Sequence, residues 1–172
     1  IFLNSLNEIE PVDYIIIARS DMLFEAERLG NINRDVNGLN VKVVQLQKIY
    51  NEFSSGNQDI SAIRNFIRYV YNNSKNNNSL KYLCLFGDAS YDYKNRIPNN
   101  TNIIPSWNSL NSFSLSSSYV SDDFFGMMDM GEGMMTNSNK LDIAVGRILA
   151  DSNNRAKDLV DKIEKYYSQN SL

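Results

Sequence analysis

The sequence lacks histidine entirely and contains a single cysteine, Cys84. Without histidine, these residues cannot form the Ser-His or Cys-His pair of a hydrolase, supply an imidazole base or build a histidine-containing zinc site. One cysteine cannot form a disulfide within the chain. Because Cys84 lies in an apolar run, where burial keeps a thiol protonated, we expect an inert core residue and no catalytic nucleophile.

Long apolar runs and an excess of basic charge are missing as well. The longest apolar runs are about five residues, far short of the roughly 20 that span a bilayer. The chain carries 17 Lys and Arg against 20 Asp and Glu, and its basic residues form no stripe. This pattern disfavours nucleic acid and anionic membrane surfaces as partners.

The length of 172 residues suits one well-filled core, so we expect a single unit over residues 1–172. The sequence starts at Ile1 rather than at Met, and a complete helical pattern runs up to its end. We therefore expect an excerpt of a longer protein. A piece severed from a partner domain should expose an apolar patch, since such contacts bury about 600–1,500 Å².

The most informative stretch is the apolar run Tyr82–Phe86, which ends abruptly at a Gly-Asp pair. The run has no polar alternation, so both faces of this strand should be buried, as in the centre of a parallel sheet. In open sheets of this kind, the loops after the carboxyl ends of the strands contact ligands and partners. Asp88, Ser90, Tyr91 and Asp92 follow the strand and are candidate site residues.

Strand and helix patterns alternate along the chain. Apolar or β-branched runs predict strands at 14–18, 41–46, 82–86 and 141–149. Apolar residues at helical spacing predict helices after residue 21, at 48–53, after residue 59 and from about 153 onward. With right-handed crossovers, this order gives an α/β fold of three layers: a mostly parallel, Rossmann-like open sheet of order 2-1-3-4 with helices on both faces.

Shorter patterns predict local features. Residues 118–133, with an apolar stretch at 124–128 and a glycine-rich turn at 129–133, predict a small hairpin. Small polar residues that can cap helices stand before three of the helical patterns: Ser20 or Asp21, Asp59 or Ser61, and Ser152 or Asn153.

Phosphate-binding motifs common in such folds are absent. The turn after the first strand contains no Gly-x-Gly-x-x-Gly, and no Gly-x-x-x-x-Gly-Lys-Ser/Thr loop occurs anywhere. A phospho-acceptor receiver domain would place an acid where Asp88 stands. It would also need an acidic pair after the first strand, where Ala18 and Arg19 stand.

Three motifs occur in a fixed order: Phe-Gly-Asp-Ala-Ser-Tyr-Asp-Tyr-Lys-Asn at 86–95, Ser-Tyr-Val-Ser-Asp-Asp-Phe-Phe-Gly at 118–126 and Leu-Asp-Ile-Ala-Val-Gly-Arg at 141–147. Together they resemble the amino-terminal half of a gingipain-type cysteine peptidase domain, and within that family the sortases of type IX secretion. Residues 13–17 and 41–55 fit the same template, so the resemblance covers nearly the whole chain.

This resemblance implies a two-part, caspase-like catalytic domain whose Cys-His dyad lies on the missing carboxyl-terminal subdomain. The family's histidine follows in a Gly-His-Gly motif and its cysteine comes later still; neither position is present here. In the intact relative, a thiolate would attack the carboxyl-terminal signal of secreted cargo, and water or an amine of lipopolysaccharide would resolve the thioester. The resemblance further implies a monomer that is secreted or on the cell surface or outer membrane in Bacteroidetes, with cargo and other secretion components as partners.

Candidate site residues have a structural interpretation beside the functional one. Asp88 and Asp92 can accept backbone N–H groups in a turn, or brace loops at the subdomain junction. Asp122 and Asp123, after Ser121, divide similarly between a helix cap and the junction. Arg147, on a buried-looking strand, should pair with one of these acids, with its guanidinium within about 5 Å of a carboxylate.

Two further interpretations stay open. Asp129 and Glu132 could offer oxygens to calcium, but their spacing matches no EF-hand loop and favours a turn, so we expect no cofactor. Four aromatic residues favour packing over a sugar-binding platform: Tyr91, Tyr93, Trp107 and Tyr119. The alternative function is a stand-alone α/β binding module that uses the carboxyl edge of its sheet, with or without a divalent cation.

Overall fold

A computed structural model of the protein describes residues 11–73, 80–111, 113–135 and 139–169. The strands are β1 (Tyr14–Ala18), β2 (Val41–Gln45), β3 (Tyr82–Phe86), β4 (Trp107–Asn108), β5 (Val120–Ser121) and β6 (Ala144–Ile148). The α-helices are α1 (Leu23–Asn37), α2 (Leu46–Phe53), α3 (Ile60–Asn73) and α4 (Asn153–Gln169). Short 3₁₀ helices form at Ser20–Met22 and Asp123–Gly126. Within these described ranges, no helix is both long and apolar enough to cross a membrane.

The main sheet has the order β2-β1-β3-β6, and every neighbouring pair is parallel. Ile16 of β1 lies opposite Cys84 of β3, which lies opposite Gly146 of β6. The predicted order 2-1-3-4 is therefore confirmed, with β6 as the fourth strand. The three consecutive isoleucines of β1 are fully buried, as expected for a central strand covered on both faces.

The direction of the crossovers places the helices. The connection from β1 to β2 runs through α1, and the connection back across β1 to β3 runs through α2 and α3. Right-handed crossovers, the rule for parallel strands, put α1 on one face of the sheet and the α2–α3 pair on the other. Helix α4 packs against α1, and the 3₁₀ helix Asp123–Gly126 packs against α3. The result is the predicted three-layer arrangement.

The predicted hairpin exists as an antiparallel pair, but its strands are β4 and β5. The stretch predicted as its apolar arm begins with a 3₁₀ helix instead. Phe124 and Phe125 are both buried. Outside the two sheets, a strand would send these consecutive side chains to opposite faces and bury only one of them, whereas a helical turn lets both rings pack inward. The backbone N–H of Phe125 accordingly donates to the carbonyl of Asp122 at 3.0 Å.

The last strand is shorter and more exposed than predicted. Residues 144–148 form β6, with the flanking parts of 141–149 outside it. Ala144 and Gly146 are exposed, and Leu149 just beyond the strand is also exposed. The reason is position: in the described part of the chain, β6 has a neighbour on one side alone.

Helix caps follow the prediction at two of three places. Asp59 accepts the N–H of Ser61 at 2.7 Å, and Ser152 accepts the N–H of Arg155 at 3.4 Å. The cap predicted at Ser20 or Asp21 is wrong, because both lie within a 3₁₀ turn that has no side-chain cap. The carboxylate of Asp21 instead binds the guanidinium of Arg19 through two hydrogen bonds of 2.7 and 2.8 Å.

A charge network fastens α4 to α1. Arg28 of α1 donates to the buried carboxylate of Glu25 at 2.8 Å, and to Asp161 and Glu164 of α4 at 2.8 and 2.7 Å. These hydrogen bonds hold the pKa of Arg28 above its ordinary value. Few side chains of α4 are fully buried, namely Ala156 and Val160. The network therefore supplements a modest apolar contact.

Replacing Arg28 with alanine should lower the free energy of unfolding by about 2 kcal/mol, because the buried carboxylate of Glu25 loses its charged partner. Urea unfolding followed by circular dichroism measures this difference. The matched control is Lys157→Ala, which removes another cation bound to Asp161 on the exposed side of α4 and should change stability little. Equal losses in the two variants would contradict the role of Glu25.

Candidate functional site

Most of the candidate site residues meet at the carboxyl edge of the sheet. There they surround a cavity of about 260 Å³ between the loop after β3, the hairpin and the end of β6. Its lining consists of Asp88, Ala89, Ser90, Tyr91, Ser106, Val120, Ser121, Asp122, Arg147 and Leu149. Parallel strands bring their carboxyl ends to one edge, so β3 and β6 deliver Asp88 and Arg147 to the same place. Asp92 and Asp123 do not line this cavity.

Arg147 is the centre of this edge. Its Nε and Nη2 atoms donate to the two carboxylate oxygens of Asp122, each at 2.7 Å, and its Nη1 atom donates to the carbonyls of Gly87 and Ile104, each at 2.8 Å. The predicted pairing of Arg147 with an acid is confirmed, and Asp122 is that acid. The side chain is 8% exposed, so this fork is largely protected from water. It ties the ends of β3 and β6 to the hairpin and has little donor capacity left for a ligand.

Asp88 braces the loop that follows β3. Its Oδ1 atom accepts the N–H of Ala89 at 2.9 Å, and its Oδ2 atom accepts the hydroxyl of Thr101 at 2.7 Å. Its backbone carbonyl accepts the N–H groups of Ile103 and Ile104, both at 3.0 Å. The bond from the N–H of Ala89 is the backbone contact that the sequence predicts for this carboxylate in a turn.

Asp92 stabilises the same loop at a point farther along the chain from β3. Its Oδ2 atom accepts the N–H of Ile97 at 2.7 Å, and its backbone carbonyl accepts the side-chain amide of Asn100 at 2.7 Å. The hydroxyl of Ser90 accepts the N–H of Asp92 at 3.1 Å, while the N–H of Ser90 donates to the side chain of Asn102 at 3.2 Å. Asp92 is buried and, like Asp88, accepts a backbone N–H within the loop, as the turn interpretation expects; a role of either aspartate at the subdomain junction stays a prediction.

Three bracing residues were missed by the sequence interpretation: Asn100, Thr101 and Asn102. They lie in an aperiodic segment of polar residues, in which any one of many Asn, Ser and Thr side chains could bind backbone groups. The sequence signal available was the position of the segment, directly before the apolar pair Ile103-Ile104 that packs into the core. A loop anchored at both ends must satisfy its buried backbone groups internally, which favours polar residues beside the anchor.

The remaining candidate residues lie at the surface of the edge. Ser121 accepts the N–H of Asp123 at 3.1 Å, and Asp123 is exposed. Around the cavity, Tyr91, Val120 and Leu149 are 72, 56 and 64% exposed. Large apolar side chains exposed together are typical of a surface that contacts another protein part. A role at a subdomain junction stays a prediction for this group.

Cys84 does not belong to this site. The thiol lies on β3 within the core and is 4% exposed. Burial raises the pKa of the Cys84 thiol to about 12, although a hydrogen bond with Tyr14 and the charge of Arg147 act in the opposite direction. A protonated thiol is a poor nucleophile, and a buried one is not accessible to a substrate or an electrophilic reagent. The prediction of a core cysteine is confirmed.

Alkylation tests this assignment of Cys84. Iodoacetamide at neutral pH should leave the native thiol unmodified and should modify it once urea unfolds the chain, as mass spectrometry would record. Stability should also fall as the pH rises from the ordinary thiol pKa of 9.0 towards about 12, because the unfolded thiol ionises in that window and the folded one does not. The Cys84→Ala variant should lack the part of this fall in stability that comes from the thiol. Rapid alkylation of the folded protein would contradict the assignment.

The glycine-rich turn after the 3₁₀ helix is closed by Glu132. Its Oε2 atom accepts the N–H of Asp129 at 3.2 Å, and its Oε1 atom accepts the N–H of Lys140 at 3.0 Å. One carboxylate oxygen therefore acts within the turn and the other binds the backbone at Lys140, which favours the turn interpretation. Across the described residues, no group of three or more His, Cys, Asp or Glu side chains is arranged to hold a metal ion.

The aromatic residues divide between packing and exposure. Trp107 packs against the core and against Tyr119, with ring centroids 5.6 Å apart. This contact favours the packing interpretation for that pair. Tyr91 and Tyr93, by contrast, are exposed beyond the end of β3.

Comparisons with known proteins agree with this architecture. The model of peptidase family C25 matches residues 7–172. The chain is also similar to a solved structure, the crystal structure of dimeric latent PorU from Porphyromonas gingivalis, with 31% sequence identity and a TM-score of 0.75. That similarity covers 90% of this chain and 15% of the PorU chain. No curated protein sequence matches significantly. A match over nearly the whole length, supported by the shared fold, shows that this chain belongs to peptidase family C25, the gingipain family.

Proposed function

We propose that this chain is the non-catalytic amino-terminal part of a gingipain-like cysteine peptidase that processes the carboxyl-terminal secretion signals of type IX cargo. The observation that carries the proposal is a mismatch between family and composition. The chain belongs to a cysteine peptidase family, yet it contains no histidine, and its one cysteine is buried in β3. A cysteine peptidase needs a thiolate and a base within hydrogen-bond reach of each other, so the chain by itself is inactive.

The proposed contribution of this chain is to support and position the catalytic subdomain. That subdomain would dock at the carboxyl edge, against the exposed side chains of Tyr91, Val120 and Leu149. The Arg147–Asp122 pair and the loop braced by Asp88 would keep this surface rigid. Contacts between domains of one chain bury about 600–1,500 Å², which is more than this one cavity offers.

The outer edge of β6 would enlarge the contact. Alternate residues of β6 form the ladder with β3, so the backbone groups of Val145 and Arg147 point away from the sheet. A groove of about 650 Å³ adjoins this edge over the face of the sheet, between α1 and β6, with Tyr14, Asn37 and Gly146 among its lining residues. Parallel sheets are normally covered at their faces and edges, so a further chain segment beside β6 is the expected complement.

The chemistry would belong entirely to the catalytic subdomain. There a thiolate would attack the scissile carbonyl of the cargo, and water or an amine would release the product from the thioester. For the whole protein we propose secreted cargo and other secretion components as partners and a secreted, cell-surface or outer-membrane location in Bacteroidetes. We propose that it is a monomer and needs no cofactor.

The proposal is tested by assaying the purified chain with peptides that carry secretion signals, alone and after adding the separately produced catalytic subdomain. The chain alone should release no product, and the two parts should form a complex in size-exclusion chromatography. A Tyr91→Ser, Leu149→Ser double variant should weaken the complex. The matched control is Phe24→Ser, since Phe24 is equally exposed but lies on α1, away from the edge. Hydrolysis by the chain alone would overturn the proposal.

The coding sequence of the parent protein offers a second test of the proposal. The coding sequence downstream of residue 172 should contain a Gly-His-Gly motif and a later cysteine. A stop codon or an unrelated domain in that place would favour the stand-alone binding module instead.

A further inference from the structure

A second cavity, of about 270 Å³, lies away from the Arg147–Asp122 pair. It is formed by the residues just before and at the start of α3, the loop after β3 and the start of the hairpin. Its lining consists of Gln58, Asp59, Ile60, Tyr93, Pro105, Ser106 and Asn108. Gln58 donates through Nε2 to the carbonyl of Tyr93 at 2.8 Å, which ties two of its walls together. The cavity is therefore a built feature of the fold.

The polar groups of this cavity have unused capacity. Asp59 uses Oδ1 to cap α3, and Asn108 uses Nδ2 to donate to the carbonyl of Ser106 at 3.2 Å. Within the described part of the chain, no hydrogen bond occupies Oδ2 of Asp59, Oδ1 of Asn108 or Oε1 of Gln58. One N–H of the Asn108 amide is also unused, since the amide carries two. The residues that line the cavity therefore offer three free acceptors and at least one free donor.

Tyr93 supplies an apolar wall. Its ring is half-exposed, and the ammonium of Lys94 lies over it, 5.5 Å from the centroid. An aromatic ring beside amide and carboxylate side chains combines a flat apolar surface with directional hydrogen bonding.

Charge narrows the ligand class. The carboxylate of Asp59 disfavours an anion. A cation is disfavoured because the ammonium of Lys94, 5.5 Å from the centroid of the Tyr93 ring, repels a second positive charge, and because Asp59 faces the positive end of the α3 dipole. An uncharged ligand that offers several hydroxyl groups and an apolar C–H face satisfies all of these constraints.

We propose that this cavity binds a neutral pyranose sugar. The C–H face of the ring lies against Tyr93, and adjacent hydroxyls donate to Asp59, Gln58 and Asn108 while the free N–H of Asn108 donates to a sugar oxygen. A pyranose with about 12 non-hydrogen atoms in a small open site binds with a dissociation constant on the order of 1 mM. The inference is independent of the proposed function, since the four residues that would contact the sugar do not line the cavity beside Arg147, although Ser106 lines both cavities.

The experiment is a titration of the ¹⁵N-labelled protein with glucose, galactose, mannose and N-acetylglucosamine, followed by amide chemical shifts. At least one sugar should give saturable shifts at Gln58, Tyr93 and Asn108. Tyr93→Ala should weaken binding by about tenfold or more, and Tyr93→Phe should retain it because the ring remains. The matched control is Tyr91→Ala, which removes a neighbouring exposed tyrosine and should leave the titration unchanged.

Several outcomes would overturn the proposal. They are the absence of saturable shifts with all four sugars, equal binding by Tyr93→Ala, and larger shifts at the same amides with acetate or with arginine. The spectra themselves report whether each variant is folded. Loss of binding is therefore interpreted only against an intact native spectrum, and Asn108→Ala provides a second variant if Tyr93→Ala fails to fold.

Discussion

Replacing Arg147 with alanine should lower the free energy of unfolding by about 3–5 kcal/mol. The substitution leaves the carboxylate of Asp122 without its partner and removes the donors that satisfy the carbonyls of Gly87 and Ile104. Arg147 is 8% exposed, so water cannot replace these bonds without opening the edge. Breaking a largely buried ion pair from one side costs more than never having formed it, because a charge stays behind in a poorly solvated place.

Urea unfolding at neutral pH measures this loss. The free energy of unfolding of Arg147→Lys should lie between those of the alanine variant and the wild type, because one ammonium cannot reproduce the bidentate contact with Asp122. The matched control is Arg155→Ala, at an exposed position in the first turn of α4, which should change stability by less than about 0.5 kcal/mol. A loss for Arg147→Ala no larger than that of the control would mean that the fork contributes nothing.

Replacing Gly87 with alanine should cost about 2–3 kcal/mol through overpacking and strain. A methyl group at Gly87 would lie 2.5 Å from Cγ2 and 2.9 Å from Cβ of Ile103, both too close for carbon atoms. The residue also has a φ of +157°, which favours glycine. Relief would require Ile103 to move, and Ile103 anchors the loop braced by Asp88.

The sheet itself provides the matched control for this substitution. Gly146 lies on the neighbouring strand β6, and a methyl group there would meet nothing within 4 Å. Gly146→Ala should therefore leave the unfolding midpoint nearly unchanged. Comparison of the two variants by thermal and urea unfolding separates the local crowding at Gly87 from the general effect of replacing glycine in a strand.

The strands could be predicted because their signals are local. Runs such as Tyr14–Ala18 and Tyr82–Phe86 are apolar throughout, and such runs bounded by polar turns are stable only where both faces are covered. The order 2-1-3-4 was the simplest one for strands and helices that alternate with right-handed crossovers. The prediction failed where a neighbouring residue competed for the same side chain. Asp21 looked like a helix cap, but Arg19 lies two residues away and binds its carboxylate more strongly than a backbone N–H would.

The site was predicted in outline. The sequence indicated that Arg147 would pair with an acid at the carboxyl edge, since both follow from strand ends meeting there. It could not choose among Asp88, Asp92, Asp122 and Asp123, because each stands after a strand or before a turn. The choice of Asp122 depends on a contact between residues 25 positions apart in the chain, and the loop that brings Asp122 there has no periodicity.

Composition and local pattern alone determined that this chain has no imidazole, that its one thiol lies in an apolar strand, and that strands and helices alternate. Those properties reside in single residues and short runs, so they hold whatever the surroundings. The tertiary structure decided which aspartate neutralises Arg147, that β6 has one neighbouring strand among the residues described, and that the cavity beside Tyr93 forms at all. Each of these depends on atoms from distant segments meeting at distances of a few ångströms, and only the packed chain sets such distances.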